Sequence, residues 1–190
     1  SIPFRNDAEF GMEHLTGIYL IEYSVEKYGE DGELDEEGIS SPEYLANLEK
    51  FTEWLRAQED VEHVYSYADI MKRLNKNLNG DDPAFYEIPD DRQLAAQYTL
   101  LYEMSLPYGL DLLDRVSIDK SSTRVTATMP EISTEKVRQF LNTSQAWFDA
   151  NTPESMKTTP TGPTVMFAYV AQRNINQMLF GNFLAILLIS

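Results

Sequence analysis

From Asn174 to Ser190 the chain carries no charged residue, and Met178-Leu179-Phe180-Gly181-Asn182-Phe183-Leu184-Ala185-Ile186-Leu187-Leu188-Ile189 is apolar except for one Asn. A run of this kind has two homes, a core helix enclosed by its own domain or a segment that meets lipid. As a helix it would span about 25 Å at ~1.5 Å per residue, short of a ~30 Å hydrocarbon core. Its apolar residues run all round the helix instead of along one stripe, and no Pro, Lys or terminal Gly stops it. The sequence is therefore expected to divide into a body, residues 1–163, and an exit helix, residues 164–190, that is the start of a transmembrane helix. The opening Ser1-Ile2-Pro3-Phe4-Arg5 has neither an initiator Met nor a signal peptide's basic-then-apolar pattern, so it reads as a cut or processed end.

The body alternates strand and helix signals. Residues 15–25 form the first strand, with Ile18, Tyr19, Leu20, Ile21, Tyr23 and Val25 apolar on both faces, as an interior strand requires. Residues 26–38 are acidic and carry three glycines, which predicts a solvated loop. Ser41-Pro42 opens a helix, a capping hydroxyl before Pro at the first position, with Leu45, Leu48, Phe51 and Leu55 at helical spacing. Residues 61–66 are a short strand, and 67–78, 91–104 and 107–116 are helical pieces of an insertion that occupies about 67–116. Residues 118–129 hold the clearest alternation, Val125, Ala127 and Met129 against Thr126 and Thr128. Ser133 then caps a helix striped by Val137, Phe140, Leu141, Ser144, Trp147 and Phe148, and 156–160 is a weak strand closed by Gly162-Pro163.

Two βαβ halves emerge from this order. They predict an α+β domain, a ferredoxin-like sheet of four antiparallel strands with both helices on one face, a helical insertion and a long C-terminal helix.

Composition removes several functions. The net charge is −16, with 17 of the 31 acidic residues in the first 62 positions, and such a field repels phosphate backbones, so nucleic acid is excluded as a partner. Without cysteine there is no disulfide, thiol catalysis or thiolate metal site, and the redox compartment stays open.

No residue pattern marks a catalytic centre, a cofactor site or a metal site, and the chain is not expected to be an enzyme. Asp81-Asp82 and Asp90-Asp91 read as turn residues. His14 and His63 lie far apart and outside any zinc or serine-hydrolase motif. Asp31, Glu33 and Asp35 imitate half an EF-hand, but Glu36 stands where Gly is needed and Pro42 where a bidentate Glu is needed, so only casual calcium binding by the 30–37 loop stays open. Tyr98, Tyr102, Met104, Tyr108 and Met166 are soft or aromatic side chains that suit either a greasy-ligand site or ordinary core.

Several strings together resemble a known family. Leu15-Thr16-Gly17-Ile18-Tyr19, Ser40-Ser41-Pro42-Glu43-Tyr44-Leu45, Val64-Tyr65-Ser66-Tyr67-Ala68-Asp69-Ile70-Met71-Lys72-Arg73-Leu74-Asn75, Gln97-Tyr98, Leu101-Tyr102-Glu103-Met104-Ser105 and Thr161-Gly162-Pro163 resemble the first extracytoplasmic loop of RND-superfamily exporters related to the MmpL proteins. The resemblance implies a periplasmic porter domain of a proton-driven inner-membrane exporter, lining part of a path for hydrophobic or amphiphilic substrates. Its partners would be the membrane helices and second extracytoplasmic domain of the same chain, a lipid or amphiphile substrate, and in some cases further copies of itself. The family's proton-relay carboxylates lie in membrane helices, so the resemblance assigns no active-site residue here. The alternative is a soluble ferredoxin-like ligand-binding or regulatory module.

Overall fold

A computed structural model describes residues 19–107 and 112–189. The architecture is α+β, built on a five-stranded antiparallel sheet. The strands are β1 (Tyr19–Lys27), β2 (His63–Tyr65), β3 (Ser122–Met129), β4 (Met156–Lys157) and β5 (Pro160–Thr161). Their order is β2-β3-β1-β4, with β5 beside β4 on the same edge of β1. The helices are α1 (Pro42–Arg56), α2 (Tyr67–Leu78), α3 (Arg92–Ser105), α4 (Thr134–Asn151) and α5 (Pro163–Ile189), with 3-10 turns at Gly38–Ser40, Pro83–Phe85 and Leu112–Asp114.

The pleat sorts β1 into two faces. Ile21, Tyr23 and Val25 are fully buried, and β3 sets Val125, Ala127 and Met129 in register on the same face. Both α1 and α4 pack there. Phe51 of α1 meets Tyr23 edge to face at 5.1 Å and Phe148 of α4 at 5.0 Å, while Trp54 and Trp147 stack at 5.1 Å over the seam between the helices. Each buried phenol has a partner, as burial demands. Tyr23 donates to Ser144 Oγ at 2.8 Å, and Tyr44 donates to the Val25 carbonyl at 2.9 Å. The opposite face is open and polar, with Arg124 paired to Glu22 at 3.4 Å.

Local signals decided most helix starts. Ser66, Asp91 and Ser133 cap α2, α3 and α4 by accepting from the N–H groups of Ala68, Leu94 and Lys136. Ser41 stands at the start of α1 before Pro42, as expected, but makes no side-chain capping bond; its backbone N–H closes the preceding 3-10 turn on the Gly38 carbonyl. Three further expectations shift. The first strand begins, in the described residues, at Tyr19 and runs on to Lys27, and its even-numbered face is open enough to leave Leu20 exposed. Residues 15–18 lie outside the described residues. The third strand starts at Ser122 rather than 118, because residues 117–121 form a turn with Lys120 at φ 55° and an Asp119 carboxylate that accepts from the Ser117 and Ser121 hydroxyls. The weak last strand is two short pieces, with Thr158 donating to the Ser24 carbonyl between them.

Candidate functional site

The exit helix is anchored at one junction. Thr161 pairs with Glu22 of β1, Gly162 turns the chain at φ 115°, and Pro163 starts α5, where its missing N–H costs nothing. A Cβ on Gly162 would come within 3.2 Å of the Leu20 carbonyl, in a backbone region that L side chains avoid. One residue on, Thr164 Oγ1 accepts from the Leu20 N–H at 3.1 Å. The first turns of α5 then dock through Val165 and Ala168, both buried.

Beside this junction lies a groove of about 550 Å³. Tyr19 comes from the start of β1, Ile132, Thr134 and Val137 from the entry to α4, and Phe167, Val170, Ala171 and Asn174 from one side of α5. None of its lining residues is charged, and four of them, Tyr19, Thr134, Thr164 and Asn174, add polar groups to an apolar wall. That is the composition of a pocket for an apolar ligand with a small polar end.

Residues 177–180 of α5 are exposed. Met178, Leu179 and Phe180 are 64%, 60% and 68% exposed, and three consecutive helical residues point in three directions. Met166, Phe167 and Tyr169 are exposed nearer the junction. Among the described residues no helix is long and apolar enough to cross a membrane.

The side chains singled out for greasy ligands do not converge. Tyr98 is buried and donates to Asn75 Oδ1, Tyr102 packs against the core, Met104 is exposed, and Met166 faces out from α5. Tyr108 and His14 lie outside the described residues. None of the four described ones lines the groove. His63 is an exposed β2 residue with its ring against Tyr65. Asp82 caps the Pro83–Phe85 turn, Asp91 caps α3, and Asp81 sits at φ 61° between helices, so these carboxylates serve turns. In the 30–37 loop Asp31 accepts from the Glu33 N–H and Asp35 pairs with Arg92 at 3.5 Å. Among the described residues no group of three or more acidic or histidine side chains is placed to hold a metal.

Sequence reasoning missed the groove because its wall is assembled from three distant segments. Phe167, Val170 and Asn174 do fall at helical spacing on one side of α5, which was the available signal.

No protein-family model matches the chain. No curated protein matches it either.

Proposed function

We propose that this chain is the extracytoplasmic domain of a proton-driven RND-type exporter of the MmpL-like class, standing on the periplasmic side of the inner membrane and forming part of the path for a hydrophobic or amphiphilic substrate. The observation that carries the reading is the bare stretch of α5 at Met178, Leu179 and Phe180. Leaving such side chains in water forgoes about 1.5–3 kcal/mol each, which an apolar medium would recover. The helix is 27 residues long, its first turns dock through Val165 and Ala168, and Met178, Leu179 and Phe180 stand exposed further along it.

Two further features support it. The order β2-β3-β1-β4, with α1 and α4 on one face, supports reading the sheet as ferredoxin-like, with 66–121 inserted between its second and third strands. The Thr161-Gly162-Pro163 string, one of those that resemble the family, is the place where the last strand ends and the exit helix begins. In this reading the domain shapes a path, the chemistry of proton coupling lies in membrane helices, and the uncharged groove at the base of α5 is the part of the path the domain contributes.

The groove also favours the second reading, a soluble module that binds an apolar ligand. The parent reading frame separates the two. An apolar span of ~20 residues just before Ser1, and one completed after Ser190, supports the exporter. A frame that opens near Ser1 and closes near Ser190 removes it and leaves the ligand-binding module.

A further inference from the structure

The face of the sheet turned away from α1 and α4 carries a polar hollow of about 240 Å³, which shares no residue with the groove beside α5. Glu22 and Ser24 of β1 and Ser122 and Arg124 of β3 alternate with the buried Tyr23, Val25, Thr123 and Val125, so the pleat turns all four outward. Thr161 of β5 stands opposite Glu22, and Ser24 stands opposite Arg124. Residues 115–117 run beside β3 where β2 stops: the Arg124 N–H donates to the Arg115 carbonyl at 2.8 Å, and the Ser117 N–H to the Ser122 carbonyl at 3.1 Å. Val116 between them is buried, while the Arg115 guanidinium lies over the exposed Tyr65 ring, 5.4 Å from its centroid. The turn Leu112–Asp114 adds Leu113 and Asp114 to the wall.

In a chain of net charge −16 this hollow is neutral. Arg115 and Arg124 in its wall are matched by Glu22 and Asp114, and the next charged residues along the face, Glu26 and Lys157, stand opposite each other on β1 and β4. Glu22 and Arg124 pair at 3.4 Å. Among the described residues Arg115 and Asp114 have no ion-pair partner, and the hydroxyls of Ser24 and Ser122 bond to no protein group. The wall therefore keeps donors and acceptors in hand without an excess of either charge.

We propose that the hollow binds an uncharged polyhydroxyl ligand the size of one sugar ring. An anion drawn by Arg115 would meet Glu22 and Asp114, a cation drawn by Asp114 would meet Arg115 and Arg124, and an apolar ligand would strip water from groups it cannot bond. A zwitterion gains little, because Arg115, Arg124 and Asp114 are exposed and ion pairs in water contribute little. What the wall offers is hydrogen bonds of both senses, from guanidinium donors, carboxylate acceptors and hydroxyls that do either. Neighbouring hydroxyls on a sugar also do either, and they suit the paired donors of a guanidinium and the paired acceptors of a carboxylate. Leu113, 59% exposed, gives the C–H side of such a ring an apolar contact. The volume lies below the roughly 300–1,000 Å³ of a site for a drug-sized ligand, which limits the occupant to a single ring.

Amide NMR of the 190-residue chain, titrated with methyl α-glucoside, methyl α-galactoside and methyl α-mannoside, is the test, with glycine and sodium phosphate as the zwitterion and the anion. At least one glycoside is expected to shift the amides of Ser24, Ser122, Arg124 and Thr161 along one saturable curve with a Kd of about 1–10 mM. That Kd should be the same in roughly 0.02 M and 0.5 M salt, since screening does not act on an uncharged ligand. Ser24→Ala and Arg115→Ala should each weaken it about three- to tenfold and leave the rest of the spectrum in place. No saturable shift with any of the three glycosides up to about 100 mM, tighter binding of glycine or phosphate at the same amides, or shifts of equal size across the whole spectrum overturns the proposal. The titration of the parent chain and its salt comparison need no variant, so the test holds if either variant folds poorly.

Discussion

The Leu20 N–H donates to Thr164 Oγ1 at 3.1 Å, so the second residue of the central strand holds the first turn of the exit helix. Gly162 lets the two approach, since its φ of 115° and the Leu20 carbonyl leave no place for a side chain. Gly162→Ala is expected to cost about 1–3 kcal/mol and Thr164→Val about 0.5–1.5 kcal/mol in urea unfolding. Equal, negligible losses for both would mean that the junction does not hold the helix.

Burial raises the pKa of Tyr23, Tyr44 and Tyr67 above the ordinary phenol value of 10.0. The folded state therefore keeps protons that the unfolded chain releases, and stability is fully present below pH 10 and falls as pH rises above it. Each such phenol steepens the fall by about 1.4 kcal/mol per pH unit. Urea midpoints between pH 8 and 11.5 should break downward near pH 10, and Tyr44→Phe should soften that break while costing about 1–3 kcal/mol at neutral pH, where it strips a partner from the buried Val25 carbonyl and Thr123 hydroxyl.

Trp54 and Trp147 are the two tryptophans of the chain and join α1 to α4. A double-mutant cycle with Trp54→Leu and Trp147→Leu should return a coupling of about 0.5–1.5 kcal/mol. A coupling near zero would show that each ring packs on Phe51 independently.

What the sequence revealed divides by range. The caps Ser66, Asp91 and Ser133 and the alternation of Val125, Ala127 and Met129 act over four to six residues and could be read directly. Ser41-Pro42 marked the start of α1, but Ser41 makes no side-chain capping bond there. Residues 118–121 misled because Ile118 looks like a strand former, while hydrogen bonds among Ser117, Asp119 and Ser121 bend the chain before the ladder begins. The groove was hidden for a different reason: Tyr19, Ile132 and Phe167 meet only after the sheet has formed, and each alone resembles an ordinary core residue. Tyr98 and Tyr102 show the converse, soft side chains that tertiary packing assigns to the core.

A Leu179→Lys substitution separates the body from its tail. The side chain is exposed, so the unfolding midpoint should stay within about 0.5 kcal/mol of the parent. Partition of the full-length protein into native membranes should weaken if that turn meets lipid, since a lysine in the hydrocarbon region costs about 2.5–3.5 kcal/mol.

The central claim is that the domain stands outside the membrane while the bare part of its exit helix lies within an apolar medium. Single cysteines at Leu179→Cys and Ala146→Cys, in the full-length protein in intact cells with a permeabilised outer membrane, test it with an impermeant maleimide. The account predicts rapid labelling at position 146 and protection at 179 that persists until detergent is added. Labelling of both positions at the same rate without detergent would contradict it.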